Sequence, residues 1–277
     1  MTPPSGGPSP TERPDAENFG WAAAEDAAAH VFAGTLADAI DITGADGHHL
    51  QRVRRLRVGE HLTAADGAGT WRRYEVAAID PGRLGLRAVG DPRREPAMVP
   101  GVALAVALTK AGALDTVVAR CTELGVESVT PVRTRRCVVR WDAAQAGRAR
   151  ERLQVAAREA AMQSRRARLP RIEPVVDLGD LLTAGSPMSG LAMSGLAMSG
   201  LVVADRTGGP VSDLVEPAAG TWTVLVGPEG GLEPAELEAL AGVPRLGLGP
   251  HILRAETAPI AAVALLLSRS HQMFREW

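Results

Sequence analysis

The sequence predicts a two-part α/β protein, a small β-rich domain followed by a larger one built on a mostly parallel sheet. Three observations predict it. From His30 to Val89 short apolar alternations are broken by turn signals, from Val102 onward continuous apolar runs alternate with helix-spaced segments, and between them "GDPRREPAMVPG", Gly90 to Gly101, reads as a linker. A chain of 277 residues, 45% hydrophobic, is long enough to give each part its own core.

The elements follow in order. Residues 1–27, rich in Pro, Gly and Ser, are expected to be a disordered tail. Residues 28–95 make the β-rich domain, in which "HVFAG", "GEHLTAADGAG", "TWRRYEVAAID" and "GRLGLRAV" read as strands, "DGAG" as a hairpin turn, and "GHHLQRVRRLR" as a short helix. Residues 100–277 make the second domain. Its "VALAVAL" suits a strand buried on both faces. "GALDTVVARCTELG" then sets Leu114, Val117, Val118, Cys121 and Leu124 at helical spacing and closes on Gly125 as a C-terminal cap. "ESVTPV" is the next strand, an arginine-rich helix runs from about Ala143 to Arg168, and "LVVAD", "WTVLVG" and "VPRLGLG" complete the strands. The repeat "MSGLAMSGLAMSGL", Met188 to Leu201, marks residues 188–200 as an expanded loop.

Composition narrows the function. The longest apolar run, "IAAVALLL", is too short to cross a bilayer, and the N-terminus lacks the basic and apolar regions of a signal peptide, so a cytoplasmic location is expected. Two cysteines, Cys121 and Cys137, offer neither a disulfide framework nor a zinc quartet, and the scattered histidines argue against a metal. Lys110 is the single lysine, a bias that also enriches Ala, Gly and Pro, so the arginine total carries no functional weight. Their placement does. Against a formal net charge of −2, the stretch Arg133 to Arg171 holds twelve arginines and three carboxylates, a local excess of nine positive charges suited to a polyanion. "RVRRLR", Arg52 to Arg57, is a shorter cluster. With aromatics at 3%, RNA contact would rest on arginine and backbone rather than on stacking.

Two glycine-rich loops stand at strand ends. "LVGPEGGLEPAELEAL" ends a strand in glycines and opens a helix with Pro234, while Glu229, Glu233, Glu236 and Glu238 already occupy the positive end of the helix dipole. Such a loop does not want phosphate. "LGLGPHILRAETAPIAAVALLL" repeats the logic, with Thr257 expected to cap a helix that has Pro259 in its first turn. No Walker loop or complete dinucleotide fingerprint is present. The two loops are expected to converge at the carboxyl edge of the sheet and to hold an uncharged or cationic ligand through exposed backbone.

Here the sequence resembles a known family. "GPEGG" followed by "LGLGPHILRAETA" is similar to the cofactor signature of SPOUT methyltransferases, and of the RsmE family in particular. That family methylates N3 of one uridine in the decoding region of 16S ribosomal RNA. "HHLQRVRRLRVGE", "KAGALDTVVARCTELGVESVTPVRTRRCV" and "REAAMQSRRARLPRI" match it in the same order, from about His30 to the C-terminal helix. The resemblance implies a PUA-like β-barrel, then a SPOUT-type parallel sheet whose C-terminal part is threaded into a trefoil knot. It also implies S-adenosyl-L-methionine as cofactor and a homodimer, for which the helix from Ala258 to about Phe274 is the candidate contact. The chain departs from the family at "AGAL" after Lys110, although Asp115 stands where an acid is expected, and at His30, where an arginine is usual.

On that resemblance the cofactor pocket is expected from Leu225, Gly227, Glu229, Gly230, Gly231, Leu246, Gly247, Leu248, Gly249, Ile252, Leu253, Thr257 and Ala258. Arg254 and Glu256 are the candidate catalytic residues, the arginine to favour the uracil anion and the carboxylate to accept the N3 proton, unless the two form an ion pair that only holds the loop. RNA contacts are expected at Arg52, Arg54, Arg55, Lys110, Arg133, Arg135, Arg136, Arg165 and Arg166. Two alternatives stand beside this reading: ribose 2′-O-methylation by the same fold, and a non-catalytic RNA-binding or ribosome-assembly protein.

Overall fold

The computed structural model describes residues 27–52, 54–109, 112–183 and 200–270. The chain divides into two compact units between Pro96 and Ala97. The N-terminal tail, Lys110 and nearly all of the methionine repeat lie outside the described residues.

The first unit is a five-stranded sheet in the order β1-β3-β4-β5-β2. Its strands are β1 (Ala29–Phe32), β2 (Ala39–Thr43), β3 (His61–Ala65), β4 (Thr70–Asp80) and β5 (Arg83–Arg94). β1 lies parallel to β3, and the other ladders are antiparallel. The expected hairpin joins β3 to β4. The Asp66 carboxylate accepts from the N–H groups of Ala68 at 2.7 Å and Thr70 at 2.9 Å, while Gly67 and Gly69 supply φ of 78° and 106°. Leu62, Ala64, Tyr74, Val76, Leu84 and Leu86 fill the interior. His30 joins them as a core residue, with its Nδ1 2.7 Å from Thr63 Oγ1.

Of the linker expected at Gly90 to Gly101, residues 95–100 lie outside any strand and contain the boundary between the units, whereas Gly90 to Arg94 belong to β5. β5 continues to Arg94, with Arg93 opposite Trp71 and Arg94 opposite Thr70, and the irregularity between Trp71 and Arg73 absorbs the extra residues around Pro92. Cross-strand pairing outweighs the local Gly and Pro signal, because β2 ends at Ala39 opposite Arg87 and leaves this part of β5 as an edge where proline is tolerated. α1 (Gly44–Arg52) is the short helix of the "HHLQR" segment.

The second unit is a parallel sheet in the order β12-β10-β11-β6-β7-β8. It comprises β6 (Gly101–Ala107), β7 (Ser128–Arg133), β8 (Arg171–Ile172), β9 (Val176–Asp177), β10 (Leu201–Gly209), β11 (Thr221–Val226) and β12 (Arg245–Leu246), with β9 also pairing β7. Its helices are α2 (Ala113–Leu124), α3 (Ala143–Ser164), α4 (Leu178–Thr183), α5 (Pro234–Ala239) and α6 (Thr257–Leu267). All seven residues of β6 are buried, as a central strand covered on both faces requires. Leu114, Val117, Val118 and Cys121 of α2 pack with Val263, Leu266 and Leu267 of α6 in the main core. Burial pushes the Cys121 thiol up to about 12.

α2 ends as expected, with Gly125 at φ 112° and its N–H donating to the Cys121 and Thr122 carbonyls. α3 opens with a reciprocal capping box between Asp142 and Gln145 and stops at Ser164, short of the expected Arg168. Arg165 takes the left-handed conformation, φ 59°, and turns the chain so that Arg166 reaches back to α2. Among the described residues no helix is long and apolar enough to cross a membrane.

Candidate active site at the carboxyl edge

Because the ladders are parallel, the loops after β6, β7, β10, β11 and β12 all leave at one edge. β11, in the middle, delivers Gly227 to Glu233. Leu225 is fully buried beneath it, Gly227 is half-buried, and Glu229, Gly230 and Gly231 are exposed. Gly231 holds φ 71°, and its N–H donates to the Pro228 carbonyl at 2.8 Å, a tight turn that leaves the glycine backbone open. α5 then starts at Pro234 with a capping box in which Glu233 and Glu236 exchange bonds, as the carboxylate-rich helix start suggested.

β12 is only two residues long, for a physical reason. A side chain on Gly208 would collide with the backbone of Arg245, Leu246 and Gly247, and the Gly247 N–H donates to the Gly209 carbonyl at 2.8 Å. Two bare backbones cross here, which only glycine permits. Arg245 fastens the same crossing by pairing with Asp205 at 2.7 Å. The Thr207 hydroxyl at 2.6 Å, the Thr207 N–H and Arg245 together hold the Asp205 carboxyl below the usual carboxylate range.

Beyond the crossing, Leu246 is buried, and Gly247, Leu248 and Leu253 are half-buried. Gly249 is exposed at φ 129° with open space about it. Ile252 is 98% exposed, so it encloses nothing within this chain. Thr257 is not the cap. The cap position falls on Glu256, and the N–H groups of Thr257 and Ala258 both donate to the Arg254 carbonyl at 3.0 Å. Among the described residues the Arg254 and Glu256 side chains make no ion pair with each other or with anything else.

The arginine loop after β7 meets the glycine loop directly. Arg136 donates through Nη1 to the Gly230 carbonyl at 3.0 Å, and the Arg135 N–H donates to Glu236 Oε1 at 2.9 Å. Glu236 Oε2 meanwhile accepts the Glu233 N–H at 2.8 Å, so one carboxylate both caps α5 and ties the two loops together. Sequence spacing gave no sign of this link, which joins residues about a hundred positions apart.

The other expected RNA contacts divide by their duties. Arg52, Arg54 and Arg55 are exposed at the end of α1, where cations suit the helix dipole. Arg133 pairs with Asp177 at 2.9 Å. Arg166 donates to the carbonyls of Thr122 at 3.0 Å, Gly125 at 3.2 Å and Val126 at 2.7 Å, which makes it a clasp on the end of α2 rather than an outward-facing group. Asp115 accepts from Arg152 at 2.6 Å and thereby ties α2 to α3. Among the described residues no cluster of three or more His, Cys, Asp or Glu is placed to hold a metal.

A family model of an RNA methyltransferase domain matches residues 96–267, and one of an RNA methyltransferase PUA domain matches residues 42–87. The ribosomal RNA small subunit methyltransferase E of Mycobacterium tuberculosis is 35% identical over 236 residues, which cover 82% of this chain and 87% of that protein. The chain belongs to the ribosomal RNA small subunit methyltransferase E family. The Bacillus subtilis member is 30% identical over 233 residues, covering 83% of this chain and 90% of its own length. The crystal structure of the Neisseria gonorrhoeae member, bound to S-adenosyl methionine, is 26% identical and superposes with a TM-score of 0.71 over 85% of this chain and 95% of that one. The PUA-domain match falls within the first unit, and the methyltransferase-domain match spans most of the second.

Proposed function

We propose that this family member transfers a methyl group from S-adenosylmethionine to N3 of one uridine in the 16S ribosomal RNA of the small subunit, working in the cytoplasm as a homodimer. The observation that carries the proposal is the meeting of the glycine loop after β11 and the arginine loop after β7 at one sheet edge, with Arg254 and Glu256 on the loop after β12 at the same edge and, among the described residues, without an ion-pair partner. The names of the relatives supply the substrate, and the Neisseria gonorrhoeae structure supplies the cofactor.

The residues fit the cofactor. Gly230, Gly231 and Gly249 leave backbone open, Leu225 and Leu246 make an apolar floor, and Glu229 adds negative charge suited to a sulfonium. When bound, the cofactor supplies an electrophilic methyl group. The protein's own task is positioning and proton removal. Uridine N3 carries a proton and is a poor nucleophile until it is lost, so Glu256 accepts that proton while Arg254 stabilises the resulting anion. A group already held in an ion pair would be less available for either duty. The Gly208–Gly247 crossing supports reading the C-terminal segment as threaded into a trefoil knot, an exception to unknotted chains.

The homodimer rests on α6. Its "TAPIAAVALLL" carries no charge, yet Ala261, Ala264 and Leu265 remain half-exposed while the opposite face is buried, a pattern that calls for a second apolar surface.

The test is methyl transfer from labelled S-adenosylmethionine to small subunits that lack the modification, with the nucleoside identified by mass spectrometry. N3-methyluridine is expected. A 2′-O-methylated nucleoside would move the target atom, and no transfer by a chain that binds RNA would favour the non-catalytic alternative.

A further inference from the structure

The β4–β5 ribbon of the first unit carries a cleft of 270 Å³, bounded by Trp71, Arg73, Val89, Gly90, Asp91 and Arg93. It is separate from the exposed arginines at the end of α1. Three other arginines of this sheet are neutralised: Arg72 pairs with Asp38 at 2.8 Å, Arg83 with Asp41 at 3.0 Å, and Arg87 with Glu75 at 3.3 Å. Arg73 and Arg93 differ. Among the described residues neither has a carboxylate at ion-pair distance, the Arg73 Nε is shielded from solvent without a hydrogen-bond partner, and the Arg93 guanidinium lies 5.7 Å from the centre of the Trp71 ring. Two like charges lining one cleft, with a buried donor unsatisfied, make an arrangement that an anion between them would relieve.

Asp91 refines the ligand. A bare inorganic anion is repelled by that carboxylate. A ribose-phosphate unit offers a phosphate to the guanidinium groups and a 2′-hydroxyl donor to the carboxylate, and the 2′-hydroxyl is what separates RNA from DNA. We propose that this cleft binds one ribose-phosphate unit of the substrate RNA strand and reports that the strand is RNA. The proposal rests on the reading of the chain as an RNA methyltransferase.

The test uses the full chain and a labelled single-stranded RNA of about 20 nucleotides beside the DNA of the same sequence, with affinities followed by anisotropy across a salt series. The double variant Arg73→Gln with Arg93→Gln should lower the slope of log K against log salt by about 0.7, the value for one phosphate contact on a single strand. Its melting temperature and its affinity for S-adenosylmethionine should stay as in the parent. Asp91→Ala should narrow the preference for RNA over DNA several-fold. If the double variant fails to fold, Arg93→Gln alone, at an exposed side chain, carries the same measurement. An unchanged slope overturns the proposal, and a fallen slope with an unchanged RNA preference in Asp91→Ala overturns its ribose part. Methyl transfer to small subunits that lack the modification, measured with the same protein preparations, keeps the two readings apart: an unchanged slope with transfer intact sinks this site alone, whereas absent transfer by the parent sinks the enzyme reading.

Discussion

Replacing Arg166 with alanine separates a clasp from an RNA contact. The guanidinium donates three hydrogen bonds, to the Thr122, Gly125 and Val126 carbonyls, from a partly buried position. A hydrogen bond from a charged donor contributes about 1.5–3 kcal/mol, and bonds that share one side chain do not add in full. Water can recover part of the loss at a helix end, so the expected cost is about 2–4 kcal/mol. For a domain of this size each kcal/mol lowers the melting temperature by about 2–4 °C, which puts the fall at roughly 4–16 °C. The assay is thermal unfolding by circular dichroism, with Arg166→Lys as comparator: an ammonium keeps the charge but cannot span three carbonyls, so it should recover only part of the loss. RNA affinity measured well below the transition should change little. An unchanged melting temperature together with a tenfold loss of RNA affinity would refute the clasp and return Arg166 to the RNA-facing set.

Gly208→Ala should cost about 3 kcal/mol or more, since the added methyl meets backbone that has nowhere to go, and soluble protein with a parental melting curve would argue against the crossing. Cys121, whose thiol is held up to about 12, should make stability fall as pH rises above 9. The sign follows from the unfolded thiol losing its proton first, which draws the equilibrium toward unfolding by about 1.4 kcal/mol per pH unit until the folded thiol titrates as well. Denaturant melts of the parent and Cys121→Ala between pH 8 and 11 should diverge, and parallel curves would refute it.

The parts of the fold that follow one rule at a time were legible. β6 announced itself by an unbroken apolar run, α2 by helical spacing closed with Gly125, and the β3–β4 hairpin by "DGAG". What misled was local composition where tertiary pairing decides: "GDPRR" looked like the start of a linker and is a strand because Trp71 and Thr70 lie opposite its end. The placing of the two glycine loops at the carboxyl edge of the parallel sheet was legible. The duties of the arginines were not, since charge density in a sequence says nothing of which carbonyl lies within reach of which guanidinium. Arg166 and Arg136 sit in the same positive stretch, yet one closes a helix and the other holds the Gly230 carbonyl. Thr257 was assigned as a cap from residue type, whereas the Arg254 carbonyl accepts both of the first N–H groups of α6.

The tether between the arginine and glycine loops has a consequence for which substitutions the two neighbouring positions can accept. Arg135 contributes its main-chain N–H to Glu236, so any residue except proline preserves that bond, and its side chain is left to change with the RNA contact proposed for it. Arg136 contributes its guanidinium to Gly230, so a change there slackens the loop proposed to cradle the cofactor as well as any grip on the strand. On the proposed function, one position tunes the choice of RNA without disturbing the chemistry beside it, while its neighbour cannot change one without the other.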